Sequence, residues 1–355
     1  MNRTENLDKK KQPPSNVSSL SPLSLKLQEA VMNIANVFES EPPELDFVWP
    51  GFLSETVGAL CAAGSTGKSY WAIEAAMCVA SRIANELLLN LEIKTHGKVL
   101  ILSAEDGLTV LTRRMHFIGR YLTPEARKEV AENIIVIPVV GWGVNINDPD
   151  WTESIIKLAT GTRLVVLDTH SRWSGGANEN DNAEQAAVVM QYERVAAKAK
   201  TAVLFLHHVG KQSMFAGKQD EQGAARGASA IIDNARWQGY MQTMTKDIAD
   251  EYGIDVSERS QYVASGAGKQ NHGVKSDEPT WYKRHEEGVL LPVILKKYSL
   301  ASKTGVGRTI KKKIQAVPGI DVAPGALERV LRTPAPPVDI AAVIAANSPL
   351  GQYGG

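Results

Sequence analysis

From Thr56 to His208 the chain alternates short apolar runs with longer segments in which apolar positions recur at helical spacing. Short continuous apolar runs read as strands covered on both faces, and the periodic segments as the helices that cover them. The alternation predicts an α/β fold, a twisted and mostly parallel sheet flanked by helices. Its expected strands are Thr56 to Cys61, Lys98 to Ser103, Ile134 to Val140, Arg163 to Leu167 and Ala202 to Leu206. Beyond His208 the texture changes. Ile231 to Met241, Gln261 to Ala264, Trp281 to His285 and Val289 to Leu295 read as strands joined by short polar turns, which predicts antiparallel additions at the sheet edge. Upstream, Leu25, Leu27, Ala30, Val31, Ile34 and Val37 predict one amphipathic helix, ended by Pro42-Pro43. Such an arm either packs on its own domain or docks on a neighbouring subunit.

The two ends read differently. Residues 1–22 combine Lys9-Lys10-Lys11, Pro13-Pro14 and several serines, a composition expected to be a disordered lead. Residues 299–355 carry Lys303, Arg308 and Lys311-Lys312-Lys313 and then become rich in Ala, Pro and Gly, which predicts a tail, basic first and low in complexity later. The expected organisation is therefore a lead over 1–22, a helical arm over 23–44, one α/β domain over 45–298 and the tail.

Composition narrows the function classes. Lys plus Arg and Asp plus Glu number 39 each, so no global field draws the chain to nucleic acid and any polyanion site must be local. The only cysteines, Cys61 and Cys78, lie in apolar stretches, which excludes a disulfide framework and suits a reducing compartment. No apolar run is long enough to span a bilayer, and the N-terminus lacks a signal-peptide core. A cytoplasmic protein without membrane attachment is expected.

The strongest chemical signal is Ala62-Ala63-Gly64-Ser65-Thr66-Gly67-Lys68-Ser69, set between an expected strand and an expected helix. Backbone N–H groups of such a glycine-rich turn cradle phosphates, and the positive end of the following helix adds to the attraction. Lys68 supplies charge at the terminal phosphate, and Ser69 a hydroxyl for Mg²⁺. Residues Ala63 to Tyr70 are the expected nucleotide contacts, with ATP and Mg²⁺ as ligands. The first motif position is Ala62 rather than glycine, which leaves the other fixed positions intact.

Mg²⁺ needs a second anchor, and Leu164-Val165-Val166-Leu167-Asp168 places an acid at the end of a buried strand. Hydrolysis needs a group that orients or deprotonates water. Glu105, closing Val99-Leu100-Ile101-Leu102-Ser103-Ala104, is the first candidate, with Asp106 competing. The pair could instead cap the next helix. His207-His208 ends another strand, where an imidazole could sense the γ-phosphate or simply be satisfied by backbone. From Val209 to Ser229 runs a long polar loop with several glycines; its Lys211 and Lys218 are candidate phosphate-backbone contacts, and Arg226 could act in a neighbouring site.

Leu45-Asp46-Phe47-Val48, Thr56-Val57-Gly58-Ala59-Leu60, Leu167-Asp168-Thr169, Phe205-Leu206-His207-His208, Arg226-Gly227-Ala228-Ser229 and Asp233-Asn234-Ala235-Arg236-Trp237-Gln238 follow one another in an order that resembles the hexameric replicative RepA helicases of broad-host-range mobilisable plasmids. The resemblance runs from about Asn33 to Lys297. It implies a RecA-like core, a ring of six, ATP held between subunits and single-stranded DNA in the central hole. It assigns Lys68 and Ser69 to nucleotide and Mg²⁺, Glu105 to water activation, Asp168 to the metal, His207 to the γ-phosphate and Arg226 to the neighbouring site as an arginine finger. Lys269 matches a lysine near the interface, and Arg114 matches an arginine without an assigned role. The plasmid initiator and primase are the implied partners. Ser174 to Asn180, rich in Gly and Asn, departs from the family's loop. A filament-forming RecA-like recombinase and a non-motor ATP-dependent switch share the phosphate chemistry and remain open alternatives.

Overall fold

The structure is a computed structural model that describes residues 21–209, 229–271 and 278–297. Chain contacts divide it between Leu45 and Asp46 into two units.

The first unit holds two short helices, α1 (Pro22–Glu29) and α2 (Ile34–Glu39), in place of the single helix that the apolar spacing predicts. The interruption is a capping event. The Asn33 side chain accepts the N–H of Asn36 at 3.2 Å, so this residue starts a new helix rather than continuing the old one. Ser21 caps α1 in the same way, with Pro22 in its first turn. No residue of either helix is buried, and Leu27, Val31 and Phe38 stand out in solvent.

The second unit opens with a hairpin, β1 (Phe47–Trp49) and β2 (Phe52–Leu53), followed by β3 (Val57–Ala62), α3 (Lys68–Ala80) and α4 (Arg82–Leu87). Then come β4 (Val99–Ser103), α5 (Leu108–Gly119), α6 (Pro124–Asn133), β5 (Ile134–Pro138), α7 (Pro149–Ala159) and β6 (Leu164–Asp168). Past α8 (His170–Trp173), α9 (Asn182–Ala199) and β7 (Ala202–His208), the chain adds α10 (Ser229–Asn234), β8 (Trp237–Thr243), α11 (Lys246–Tyr252), β9 (Tyr262–Gln270), β10 (Thr280–Arg284) and β11 (Leu290–Val293). Nine of the strands form one sheet in the order β11-β10-β9-β8-β3-β7-β6-β4-β5. The pairs from β8 to β5 are parallel, and β9, β10 and β11 continue antiparallel.

Two expectations for the C-terminal part are corrected. The run expected as a strand from Ile231 begins as α10, and the strand itself, β8, is parallel to β3 rather than an antiparallel addition. The Ile231 side chain is fully buried among α9 and β7 neighbours, which a helix achieves as well as a strand; a short apolar run does not decide between them.

The parallel strands are buried on both faces, and their alternation splits two cores. In β3, Val57, Ala59 and Cys61 face one layer, while Leu60 and Ala62 face the other. The layer over Leu60 holds Trp71, Ala75 and Cys78 of α3; the layer over Ala59 holds Val188, Tyr192 and Val195 of α9. The hairpin is fastened by aromatic packing. Trp49 meets Trp71 and Trp237 edge-on, and Phe52 stacks on Trp237 with centroids 5.4 Å apart. Gly58 makes room for that ring, since a Cβ there would sit 2.9 Å from Phe52. Arg163 adds a two-pronged ion pair with Asp46 and donates to the Phe47 carbonyl at 2.6 Å. Both cysteines are free and buried. Among the described residues no helix is long and apolar enough to cross a membrane.

Candidate nucleotide site

Parallel packing brings the C-terminal ends of β3, β4, β6 and β7 to one edge, because Ser103 pairs with Asp168 and Ala62 with His208. The loop after β3 is shaped by two left-handed residues, Ser65 (φ 63°) and Gly67 (φ 100°), and α3 begins directly behind it at Lys68. Thr66 closes the turn through its hydroxyl, which donates to the Ala63 carbonyl at 2.8 Å.

Lys68 is 5% exposed, and its Nζ lies 3.3 Å from Nδ1 of His208. Burial lowers its pKa, while the charges of Asp168 and Glu105 pull it back up. Nε2 of His208 lies 3.4 Å from Oε2 of Glu105. An ammonium only donates, so Nδ1 accepts from Lys68 and Nε2 carries the proton toward Glu105. Lys68, His208 and Glu105 thus form one chain of contacts across three strand ends.

The neighbouring histidine behaves otherwise. His207, which the resemblance puts at the γ-phosphate, is 5% exposed and packs edge-on against His170, with centroids 5.4 Å apart. Burial, then the nearby His170, His208 and Lys68, hold its pKa down at about 3, so it is neutral. It is His208 that reaches Lys68 and Glu105. Alternation along β7 explains the difference, since adjacent residues face opposite sides. His170 in turn is held by Gln185 Oε1 at 2.7 Å and the Tyr192 hydroxyl at 3.2 Å. Gln185 donates to the Asn178 carbonyl at 3.0 Å, so the buried histidines lean on the Ser174 to Asn180 loop.

Asp168 is buried, and desolvation raises its pKa to about 6 despite a hydrogen bond from the Ser69 hydroxyl. Among the described residues its Oδ1 has no hydrogen-bond partner. An orphaned, buried carboxylate oxygen beside a hydroxyl is the hard oxygen donor set that Mg²⁺ takes alongside phosphate and water. The residues present therefore fit the ion. Among the described residues no group of three or more His, Cys, Asp or Glu is placed to hold a metal by itself.

Asp106 is engaged elsewhere. Arg114 of α5 forms an ion pair with it and lies over the Tyr70 ring at 5.3 Å. Glu105 is free of that pairing, which separates the two acids that the sequence leaves in competition. Lys269 donates to the Asp233 carbonyl at 2.7 Å. Lys211, Lys218 and Arg226 lie outside the described residues.

One site residue had no sequence signal. Arg284, at the end of β10, donates to the carbonyls of Ser65 (3.2 Å) and Thr66 in the phosphate loop, and to Ser260 at 3.2 Å. It belongs to no motif, and only the antiparallel extension of the sheet brings it there.

A model of the AAA domain family AAA_25 matches residues 23–214, more than half of the chain. The chain belongs to this AAA domain family. Solved structures similar to it include a DnaB-like replicative helicase, described together with its interactions with primase, at 15% identity and a TM-score of 0.50, covering 75% of this chain and 69% of that one. The KaiC-like protein PH0186 of Pyrococcus horikoshii OT3 matches at 14% identity and 0.46, over 71% of this chain and 100% of that one. At 15% identity the likeness to the helicase speaks for fold alone. The AAA domain of this chain has a RecA-like P-loop core, a mostly parallel sheet between helical layers with its phosphate loop after β3. The family and the loop together make it a nucleotide-binding domain of the ATP-hydrolysing P-loop class.

Proposed function

We propose that this AAA domain is the motor of a ring-shaped DNA helicase that moves along single-stranded DNA and separates duplex during plasmid replication. The observation that carries the reading is the convergence of Lys68, His208, Glu105 and Asp168 at one sheet edge, around a loop shaped for phosphate. The resemblance to RepA-type helicases, which extends well past the nucleotide motifs, directs that chemistry to DNA.

In this reading, residues Ala63 to Tyr70 hold the nucleotide, and Lys68 neutralises charge on the terminal phosphate. Ser69 and Asp168 would hold Mg²⁺, which would supply further charge neutralisation when bound. Glu105 orients and deprotonates the attacking water, and His208 couples that carboxylate to Lys68. His207 supports His208 from the core rather than touching phosphate. Arg226 serves the site of the adjoining subunit, and Lys211 and Lys218 contact the DNA backbone. The functional divisions are a lead over 1–22, an arm over 23–44 that docks on a neighbouring copy, the motor over 45–298 and a basic tail. The assembly is a homohexamer in the cytoplasm that meets a plasmid initiator and, as the DnaB-like helicase does, primase.

An unwinding assay on forks with one single-stranded arm at a time tests this. The wild-type chain should displace a strand in an ATP-dependent manner, and Lys68→Ala should not. ATP hydrolysis without strand displacement on any fork would point instead to a non-motor switch, and ATP-bound filaments in electron microscopy to a recombinase.

A further inference from the structure

The antiparallel strands β9 to β11 lie beyond the parallel strands whose ends form the site, yet they send one side chain back into it. The Arg284 guanidinium bridges two successive carbonyls of the phosphate loop, Ser65 and Thr66, and its Nε is anchored on Ser260. Contact with the loop is close: a Cβ on Gly67 would stand 2.9 Å from Nη1 of Arg284. Gly67 is therefore constrained twice, by its left-handed φ of 100° and by the guanidinium beside it.

The consequence follows from peptide geometry. In a trans peptide, the C=O of one residue and the N–H of the next point in opposite directions. Holding the Thr66 carbonyl on the Arg284 side aims the Gly67 N–H away from it, toward the phosphate side of the loop. The Ser65 carbonyl is held in the same way; the Thr66 N–H opposite it makes a long turn contact to the Ala63 carbonyl at 3.4 Å. Arg284 thus presets the loop before any nucleotide arrives, and its fixed positive charge sits behind the cradle. The turn that follows β10 is also tied down, since Glu287 pairs with Arg113 of α5 and Glu286 with Arg120 at its C-terminal cap, at 2.6 Å each. Burial lowers the Arg284 pKa, but an arginine stays charged.

We propose that Arg284 is a positioning residue for the phosphate cradle, setting the affinity for the phosphate chain of the nucleotide and leaving the hydrolytic step itself almost untouched. The proposal rests on the nucleotide-site reading above. Nη2 serves both loop carbonyls while Nε holds the Ser260 carbonyl, so the single nitrogen of a Lys cannot keep the loop and the anchor at once and replaces Arg284 only in part.

The test compares the full-length chain with Arg284→Met and Arg284→Lys in steady-state ATP hydrolysis, with pyrophosphate and adenosine as competing probes. For Arg284→Met, KM for ATP and the inhibition constant of pyrophosphate should rise together by about tenfold, with kcat within about threefold of wild type. The constant for adenosine should stay put, and Arg284→Lys should fall between. A merely structural role would move the pyrophosphate and adenosine constants together or lower the melting temperature alone. Unchanged KM and pyrophosphate constants in a variant that melts like the wild type would overturn the proposal. Should Arg284→Met not fold, Arg284→Lys carries the same comparison. Absence of any ATP hydrolysis by the wild-type chain would instead sink the nucleotide-site reading.

Discussion

Nζ of Lys68 and Nδ1 of His208 lie 3.3 Å apart, joining the phosphate loop after β3 to the end of the adjacent strand β7. The other ring nitrogen of His208 faces Glu105 at 3.4 Å, so a single imidazole stands between the lysine and the acid. The two histidines at this strand end should therefore fail differently. His208→Ala is expected to bind nucleotide within about threefold of wild type while its turnover falls by roughly 10²-fold, the usual range for a group that orients a general base. His207→Ala removes a ring buried against His170 and should mainly destabilise, by about 2 kcal/mol. Single-turnover hydrolysis and thermal melts of both variants check this; equal turnover losses without a melting difference would contradict it.

Glu105 and Asp106 are separated by the same kind of argument. Asp106 is committed to Arg114, whereas Glu105 faces His208. Glu105→Gln should keep nucleotide affinity and lose at least about 10²-fold in kcat. Asp106→Asn should act through Arg114 and Tyr70, with a smaller effect on kcat. Paired binding titrations and hydrolysis rates decide which acid matters, and a larger kcat loss in Asp106→Asn would reverse the assignment.

Much of this architecture is legible in the sequence, and the exceptions have physical causes. The parallel strands announce themselves because burial on both faces demands continuous apolar residues, as in Leu164 to Leu167. The phosphate loop is readable because its chemistry fixes residue types at fixed spacing. Helix α10 is not readable, because Ile231 and its neighbours form an apolar run too short to show a period. Asn33 breaks the arm by capping, a local hydrogen bond that an apolar periodicity does not register. Which of His207 and His208 approaches Lys68 and Glu105 turns on the face of β7 that each occupies, a matter of one residue in register. Arg284 reaches the loop only through long-range strand pairing, and no local pattern encodes that.

The arm offers a separate test of assembly. None of the residues in α1 or α2 is buried, and Leu27, Val31, Met32 and Phe38 are more than 60% exposed. Apolar side chains of that size gain roughly 1.5 to 3 kcal/mol each when fully covered. If a neighbouring copy covers them, deleting residues 1–45 should shift the protein to smaller oligomers and lower turnover per chain. Melting of the second unit should change little. Light scattering coupled to size-exclusion chromatography, alongside hydrolysis rates, reads both; an unchanged oligomer would remove the arm from the assembly.

His207 also predicts how stability depends on pH. Its folded pKa is held at about 3 by burial first and then by His170, His208 and Lys68, against an ordinary value of 6.5. Between those two values the unfolded chain binds the proton that the folded chain refuses, so stability rises with pH across the window. The contribution is complete above about pH 6.5 and is lost progressively as pH falls toward 3, at no more than about 1.4 kcal/mol per unit. Asp168 opposes it. Its folded pKa, raised from 3.8 to about 6, gives a contribution present at low pH and lost as pH rises through 6. His207→Asn should remove only the first of these, flattening or inverting the slope of unfolding free energy between pH 6.5 and 4. Urea melts at several pH values, with wild type and variant side by side, measure the slope directly. A variant with the wild-type slope would show that His207 is protonated as readily in the folded chain as in the unfolded one.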